Sequence, residues 1–270
     1  AYYRSPAFQN KAKGTQQNYR RHCEDIREKN GDKDMTSFRR KDALKVQSAL
    51  QDNWSKANER LAVLSILCKF AVDIEWIDRN PVVDIVKLKG GEYEPWPDDK
   101  LAAYERYCDR HNLATARTIY ELAIGTGQRI GDCVQMEWKD FDGEYMTVTQ
   151  EKTGTKLSIY CPERLQLYLS SLPKTGRHIL AKNLTEHKAK RAAQKAVEDV
   201  RRALCIMDGP GRLVPHGWRY TAAVQLSDAG CSDDEVQAVT GHKTLEMVRK
   251  YRAQRDQRAA SKRAQQKRNR

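Results

Sequence analysis

The chain has 270 residues and a formal net charge of +13, enough length for one large domain or two modest ones with real cores. A polyanion is the first partner to consider, yet residues 252–270 hold eight Lys/Arg and one Asp, so they supply +7 and the rest only +6. Seven scattered cysteines, with no Cys-x-x-Cys pair and no histidine at finger spacing, exclude a disulfide framework and a zinc site, and no apolar run approaches ~18 residues.

The first ~90 residues read as helical. "TQQNYRRHCEDIREKNG" (15–31) spaces Tyr19, Cys23 and Ile26 along one face and stops at Gly31. "TSFRRKDALKVQSALQDN" (36–53) repeats the pattern with Phe38, Leu44 and Leu50. "SKANERLAVLSILCKFAVDIEWIDRNP" (55–81) places Leu61, Leu64, Leu67, Cys68 and Ala71 on one stripe, and Pro81 is expected to end that region. "KLKGGEYEPWPDDK" (87–100) reads as a linker, with Gly-Gly, two prolines and a change of composition.

Beyond the linker, "LAAYERYCDRHN" and "LATARTIYELAIGTG" look helical. "GTGQRIGDCVQMEW" (125–138) reads as a turn into an amphipathic helix with Arg129 at its mouth. "EYMTVTQEKTGTKLSIYCP" (144–162) has two β-rich runs flanking Lys-Thr-Gly-Thr, the pattern of a hairpin. "GRHILAK" (176–182) is read as a further short strand, and about 185–205, 216–229, 232–240 and 244–252 as helices. The fold class expected is mainly α with a small β-sheet.

Five stretches of the C-terminal half hold residues suited to phosphate chemistry. They are Arg129 in "TGQRIGD", Lys152 in the hairpin turn, His216 and Arg219 in "HGWR", His242 after Gly241, and Tyr251 nine residues later. Singly each has a plain reading; their order and spacing together resemble the tyrosine recombinase (phage integrase) family. There an ordered Arg, Lys, His-x-x-Arg, Gly-His and Tyr set forms the active site, and Asp132 matches the acid that buttresses it. "HGWR" carries Gly-Trp where many relatives have Asp-Leu or Glu-Leu. Upstream, "ANERLAVLSILCKFAVDIEWIDRNP" resembles the last helix of the family's core-binding domain and "EYEPW" its linker.

The resemblance implies a helical SAM-like core-binding domain over 1–88, a linker at 89–98, a catalytic domain over 99–252 and a basic tail at 253–270. It implies DNA strand cleavage and rejoining through a 3′-phosphotyrosyl link, integrating or excising a mobile element. The residue types suit that chemistry. Arg129 and Arg219 stay charged and present planar forks to the non-bridging phosphate oxygens. His216 and His242 donate or accept further bonds, with His216 the better base for the weakly acidic phenol of Tyr251. Lys152 can protonate the departing 5′-oxygen. No cofactor is implied; the covalent link conserves the phosphodiester energy, and the chain has no Gly-x4-Gly-Lys-Ser/Thr loop.

Double-stranded DNA carrying attachment sites is the expected partner, bound as a homotetramer by a protein that is monomeric when free. Accessory DNA-bending or directionality factors belong to the same expectation. A membrane does not, and the expected setting is the cytoplasm of a prokaryotic cell, at the nucleoid. Asn58, Arg60, Arg20 and Arg21 read either as DNA contacts or as plain helix surface. The tail reads either as an extension drawn to DNA by charge or as a segment docking on a neighbouring protomer.

Two other readings stay open: a type IB topoisomerase-like strand transferase and a DNA-binding module that does not cut. "SLPKTG" (171–176) and the two Lys-Thr-Gly triplets imitate sorting-signal and β-lactamase motifs without their required context. Nothing before residue 11 resembles the small arm-binding domain many such integrases carry, so it is either cut away here or lacking in this relative.

Overall fold

The computed structural model describes the chain except Glu92, Pro210, Lys243, Leu245, Asn269 and Arg270. The side chains of Met247, Val248, residues 250–256, Arg258 and Ala259 also lie outside the described residues. Two compact units divide it, Ala1–Glu92 and Tyr93–Arg270. Among the described residues no helix is long and apolar enough to cross a membrane.

The first unit contains α1 (Pro6–Gln9), α2 (Lys13–Asn30), α3 (Arg40–Ser48) and α4 (Trp54–Asp73). Asn53 starts α4 by accepting the Lys56 N–H at 3.0 Å. One stripe of α4, Leu61, Leu64 and Cys68, packs with Ala43 and Val82. Val63, with the flanking Ile66, Leu67 and Phe70, joins Tyr2, Phe8 and Cys23 in a second cluster. Apolar residues on two faces let one helix serve both clusters, and each fully buried Leu contributes about 1.5–3 kcal/mol.

Helix α4 stops well before Pro81, contrary to the sequence expectation. Glu75 adopts φ 60°, its N–H bonds to the Val72 carbonyl at 2.9 Å, and the Trp76 N–H to that of Ala71 at 2.8 Å. This Schellman arrangement satisfies the last carbonyls and turns the chain, with a glutamate where glycine is usual. The return segment is held by side chains. Gln47 donates to the Val86 carbonyl at 2.8 Å, Arg40 donates to the carbonyls of Val83 and Asp84, and the Asn58 amide brackets the Leu88 backbone.

The second unit is helical around one hairpin: α5 (Asp98–Arg110), α6 (Ala114–Thr126), α7 (Ile130–Cys133), β1 (Tyr145–Thr149), β2 (Lys156–Tyr160), α8 (Glu163–Ser171), α9 (Lys190–Ala203), α10 (Gly217–Asp228), α11 (Asp233–Thr240) and α12 (Glu246–Arg268). β1 and β2 pair antiparallel from Tyr145↔Tyr160 to Thr149↔Lys156, with Met146, Val148 and Ile159 buried between outward-facing neighbours. The small sheet and helical majority match the expected fold class.

The core centres on Trp218, fully buried, with Tyr104 and Tyr120 edge-on at 5.2 and 5.4 Å and Trp96 at 5.2 Å. Trp96 is tied to the segment before α10 by its indole N–H to the Val214 carbonyl, and to α10 itself by the Thr221 hydroxyl accepting its backbone N–H. A Cβ at Gly217 would strike the Glu94 carbonyl and lie 2.9 Å from the Trp96 ring, so the Gly-Trp pair of "HGWR" is what this packing requires.

Besides the early stop of α4, α3 is shorter than the expected 36–53 and leaves Leu44 exposed, α9 starts at Lys190 rather than about 185, and three further details differ. The amphipathic helix expected after Arg129 is the single turn α7. Residues 176–182 form isolated bridges, Glu137↔His178 and Ala181↔His187, rather than a strand. Finally, α12 does not stop near 252 but runs on to Arg268, as its Ala, Arg, Lys and Gln content favours.

Candidate active site

Two helix C-termini organise the site. α6 ends at Gly127 and α11 at Gly241, each with φ 64°, the left-handed conformation that glycine adopts without strain. Between them lies the buried Gln128. Its amide nitrogen donates to the carbonyls of Thr126 and Val239, both at 3.0 Å, satisfying orphan carbonyls of both helices.

Arg219, one turn into α10 and 1% exposed, reaches the same place. One terminal nitrogen donates to the Gly127 carbonyl at 2.9 Å and to Gln128 Oε1 at 3.3 Å, while Nε donates to His242 Nε2 at 2.9 Å. Its other terminal nitrogen has no hydrogen-bond partner among the described residues. The negative ends of helix dipoles face this guanidinium, and no carboxylate forms an ion pair with it among the described residues. Burial, then the neighbouring Arg129 charge, lowers its pKa to about 10, so it stays cationic at neutral pH.

The tautomer of His242 follows from its partners. Nε2 accepts from Arg219, so Nδ1 carries the proton and donates to the Thr240 hydroxyl at 2.9 Å, whose own hydrogen goes to the Val236 carbonyl. Burial and then the Arg219 and Arg129 charges push the pKa of His242 down to about 3. His216 precedes α10, its ring edge-on to Tyr93 at 4.8 Å and Tyr220 at 5.4 Å. Burial, followed by the charges of Arg129, Arg219 and Lys152, lowers its pKa to about 4. Both rings are therefore neutral at pH 7, and a neutral imidazole can accept a proton.

Arg129 is the N-cap of α7 and half-buried. Its guanidinium stands 3.7 Å from Asp132 Oδ2, beyond hydrogen-bond reach, and neither atom has a hydrogen-bond partner among the described residues. The other Asp132 oxygen accepts the Glu151 N–H at 2.9 Å, so one buried carboxylate faces Arg129 and anchors the turn that carries the exposed Lys152. Thus Arg129, Lys152, His216, Arg219 and His242 act on one another electrostatically at one place. Tyr251 falls within α12, but its side chain lies outside the described residues.

The four N-terminal residues read as DNA contacts fare differently. Arg60 is 6% exposed, paired with Asp25 and donating to His22 Nδ1 at 3.1 Å, which corrects the reading of it as a surface contact. Asn58 is also engaged internally, donating to the Leu88 carbonyl and accepting its N–H, both at 2.9 Å. Arg20 is exposed and lies over the Tyr3 ring at 4.5 Å. Arg21 is exposed, bonded to Asn18 and 3.6 Å from Glu59.

Sequence reasoning passed over Gln128, Gln150 and Thr240, all buried and hydrogen-bonded beneath the charged groups. The only signal was position: one glutamine directly precedes Arg129, and the other stands two residues before Lys152.

The family model described as "Phage integrase family" matches residues 99–258. The chain is 28% identical over 148 residues to the tyrosine recombinase XerC of Bifidobacterium longum, 49% of this chain and 41% of that one. It is 29% identical over 145 residues to the integrase of Escherichia phage lambda, 50% of this chain and 40% of that one. It therefore spans about two fifths of the length of these relatives. With XerC of Staphylococcus carnosus the match is 26% over 238 residues, covering 80% of this chain and 78% of that one. Among solved structures, a lambda integrase dimer bound to a COC′ core site superposes with a TM-score of 0.77 at 22% identity, over 90% of this chain and 89% of that chain. The Tn1549 transposon integrase in complex with circular intermediate DNA gives 0.70 at 16% identity, over 90% of each.

Proposed function

We propose that this chain, which belongs to the phage integrase family, is a site-specific recombinase that cuts and rejoins double-stranded DNA. One observation supports this most strongly. Two guanidinium groups, Arg129 and Arg219, converge with no hydrogen bond to a carboxylate among the described residues, Asp132 standing 3.7 Å from Arg129, beside two neutral histidines and the turn of Lys152. A cluster whose cationic donors outnumber the single carboxylate facing them, and which keeps donors unbonded, suits an anion supplied from outside, here the scissile phosphate.

In this reading Arg129 and Arg219 bind the non-bridging oxygens as charge builds in the pentacoordinate state. Tyr251 attacks phosphorus; its proton passes to the neutral His216, the Oη–P bond forms and the P–O5′ bond breaks. Lys152 delivers a proton to O5′. The 3′-phosphotyrosyl bond then accepts attack by a 5′-hydroxyl in the reverse sense, which needs no nucleotide. Residues 1–88 act as the core-binding domain, 89–98 as the linker and 99–252 as the catalytic domain. The helical extension from 253 makes the contact between protomers of a homotetramer assembled on attachment sites. The work is done in the cytoplasm of a prokaryotic cell, integrating or excising a mobile element, with accessory DNA-bending or directionality factors as helpers.

The test is a nicked duplex carrying the attachment site, incubated with wild type and Tyr251→Phe in EDTA and resolved on a denaturing gel. A covalent protein–DNA band that disappears in the variant is expected. Tight, salt-sensitive binding to the same duplex with no such band overturns the assignment.

A further inference from the structure

Beneath the charged groups runs a chain of side-chain hydrogen bonds, buried beyond its first link, with no counterpart among the assigned residues. The Thr153 hydroxyl, in the Lys152 turn, donates to Gln150 Oε1 at 2.7 Å. Gln150, fully buried, donates from Nε2 to Gln128 Oε1 at 2.7 Å and to the Thr240 carbonyl at 3.0 Å. Gln128 Oε1 also accepts from Arg219. The backbone of Gln150 closes the same turn, its N–H bonding to the Thr155 carbonyl and its carbonyl to the Gly154 N–H, both at 2.9 Å. A Cβ on Gly241 would lie 2.7 Å from Gln150 Nε2, so the His242 loop lies directly against this amide.

Burying a primary amide without its bonds costs several kcal/mol, so Gln150 is held to one orientation by partners on three separate segments. From this geometry we infer that Gln150 is a positioning residue for the reaction proposed above. It fixes the Lys152 turn against Arg219 and the His242 loop, so that the proton donor and the phosphate clamp keep a common register. The inference rests on that functional reading and names a residue that touches no reacting atom.

It predicts a specific fault when the relay is cut. In Thr153→Val or Gln150→Met the lysine turn loses its link to the clamp, so proton delivery to O5′ suffers more than phosphate binding. The full-length chain is assayed for covalent adduct formation on two nicked duplexes, one ordinary and one with sulfur replacing the bridging 5′-oxygen, whose thiolate departs without a proton. On the ordinary duplex each variant is expected to slow roughly 30-fold, within the range of general acid catalysis. On the sulfur duplex the deficit shrinks to about 3-fold, and Thr153→Ser, which keeps the hydroxyl, restores the ordinary rate. Thr153 lies in the turn outside the core, so its variants keep the test valid if Gln150→Met does not fold.

Equal slowing on both duplexes overturns the role of Gln150 while leaving the recombinase reading intact. No adduct from the wild type on either duplex overturns both.

Discussion

Arg60 and Arg219 are both buried arginines whose Nε donates to a histidine, yet they represent opposite uses of a charge. In the first unit Arg60 meets the Asp25 carboxylate, whose pKa it lowers through that bond, and the group is electrically complete. In the second unit Arg219 is held by a carbonyl, an amide and an imidazole and, among the described residues, keeps one nitrogen unpartnered and has no ion-paired acid. Identical side chains thus become structural or receptive according to whether the counter-anion is internal. A positive charge retained without a partner is costly to stability, and its location marks where function overrides packing.

The largest effect separating the two comes from Arg219→Gln. Adduct formation is expected to fall about 10²–10³-fold, while stability in urea stays level or rises because an uncompensated buried charge is gone. A large loss of stability instead would make Arg219 a second Arg60. The mirror experiment is Arg60→Met, which strands Asp25 and His22. It should lower unfolding free energy by about 2–3 kcal/mol, yet leave DNA affinity unchanged wherever the protein remains folded.

Acid sharpens the contrast further. His216 and His242 have folded pKa values of about 4 and about 3, lowered from 6.5 first by burial and then by the neighbouring cationic charges. The unfolded chain therefore binds more protons below pH 6.5, and stability falls as pH drops from there through about 4 and about 3, below which the folded rings are protonated too and the loss levels off. Adduct formation, needing a neutral His216, should stay flat from pH 7.5 to about 5.5. In Arg219→Gln the acid sensitivity weakens, since one depressing charge is removed, and an unchanged urea midpoint profile would count against this account.

Smallest is Arg21→Ala, the exposed case. Stability should move by no more than about 0.5 kcal/mol, while the slope of log affinity against log salt becomes shallower by about 0.9 if Arg21 meets a phosphate.

These differences also show what could be read along the chain. Periodic apolar residues such as Leu61, Leu64 and Cys68 announce a helix face because burial repeats with the helical turn. Spacing likewise singled out Arg129, His216, Arg219 and His242, which the fold brings together. Local sequence was silent where the partner is distant. Asp25 lies 35 positions from Arg60, so a buried pair looked like helix surface. Gln128 and Gln150 drew no reading because nothing nearby in the sequence shows that two helix ends close over them. The early stop of α4 depends on a left-handed glutamate, a conformation that composition does not advertise.

Gly217 and Trp218 carry a consequence for how such a site can change over generations. Any side chain at 217 collides with the Glu94 carbonyl and Trp96, and a leucine at 218 leaves a void among Trp96, Tyr104 and Tyr120. Each position is therefore expected to resist substitution, and a change at 218 does not relieve the clash that a side chain at 217 creates.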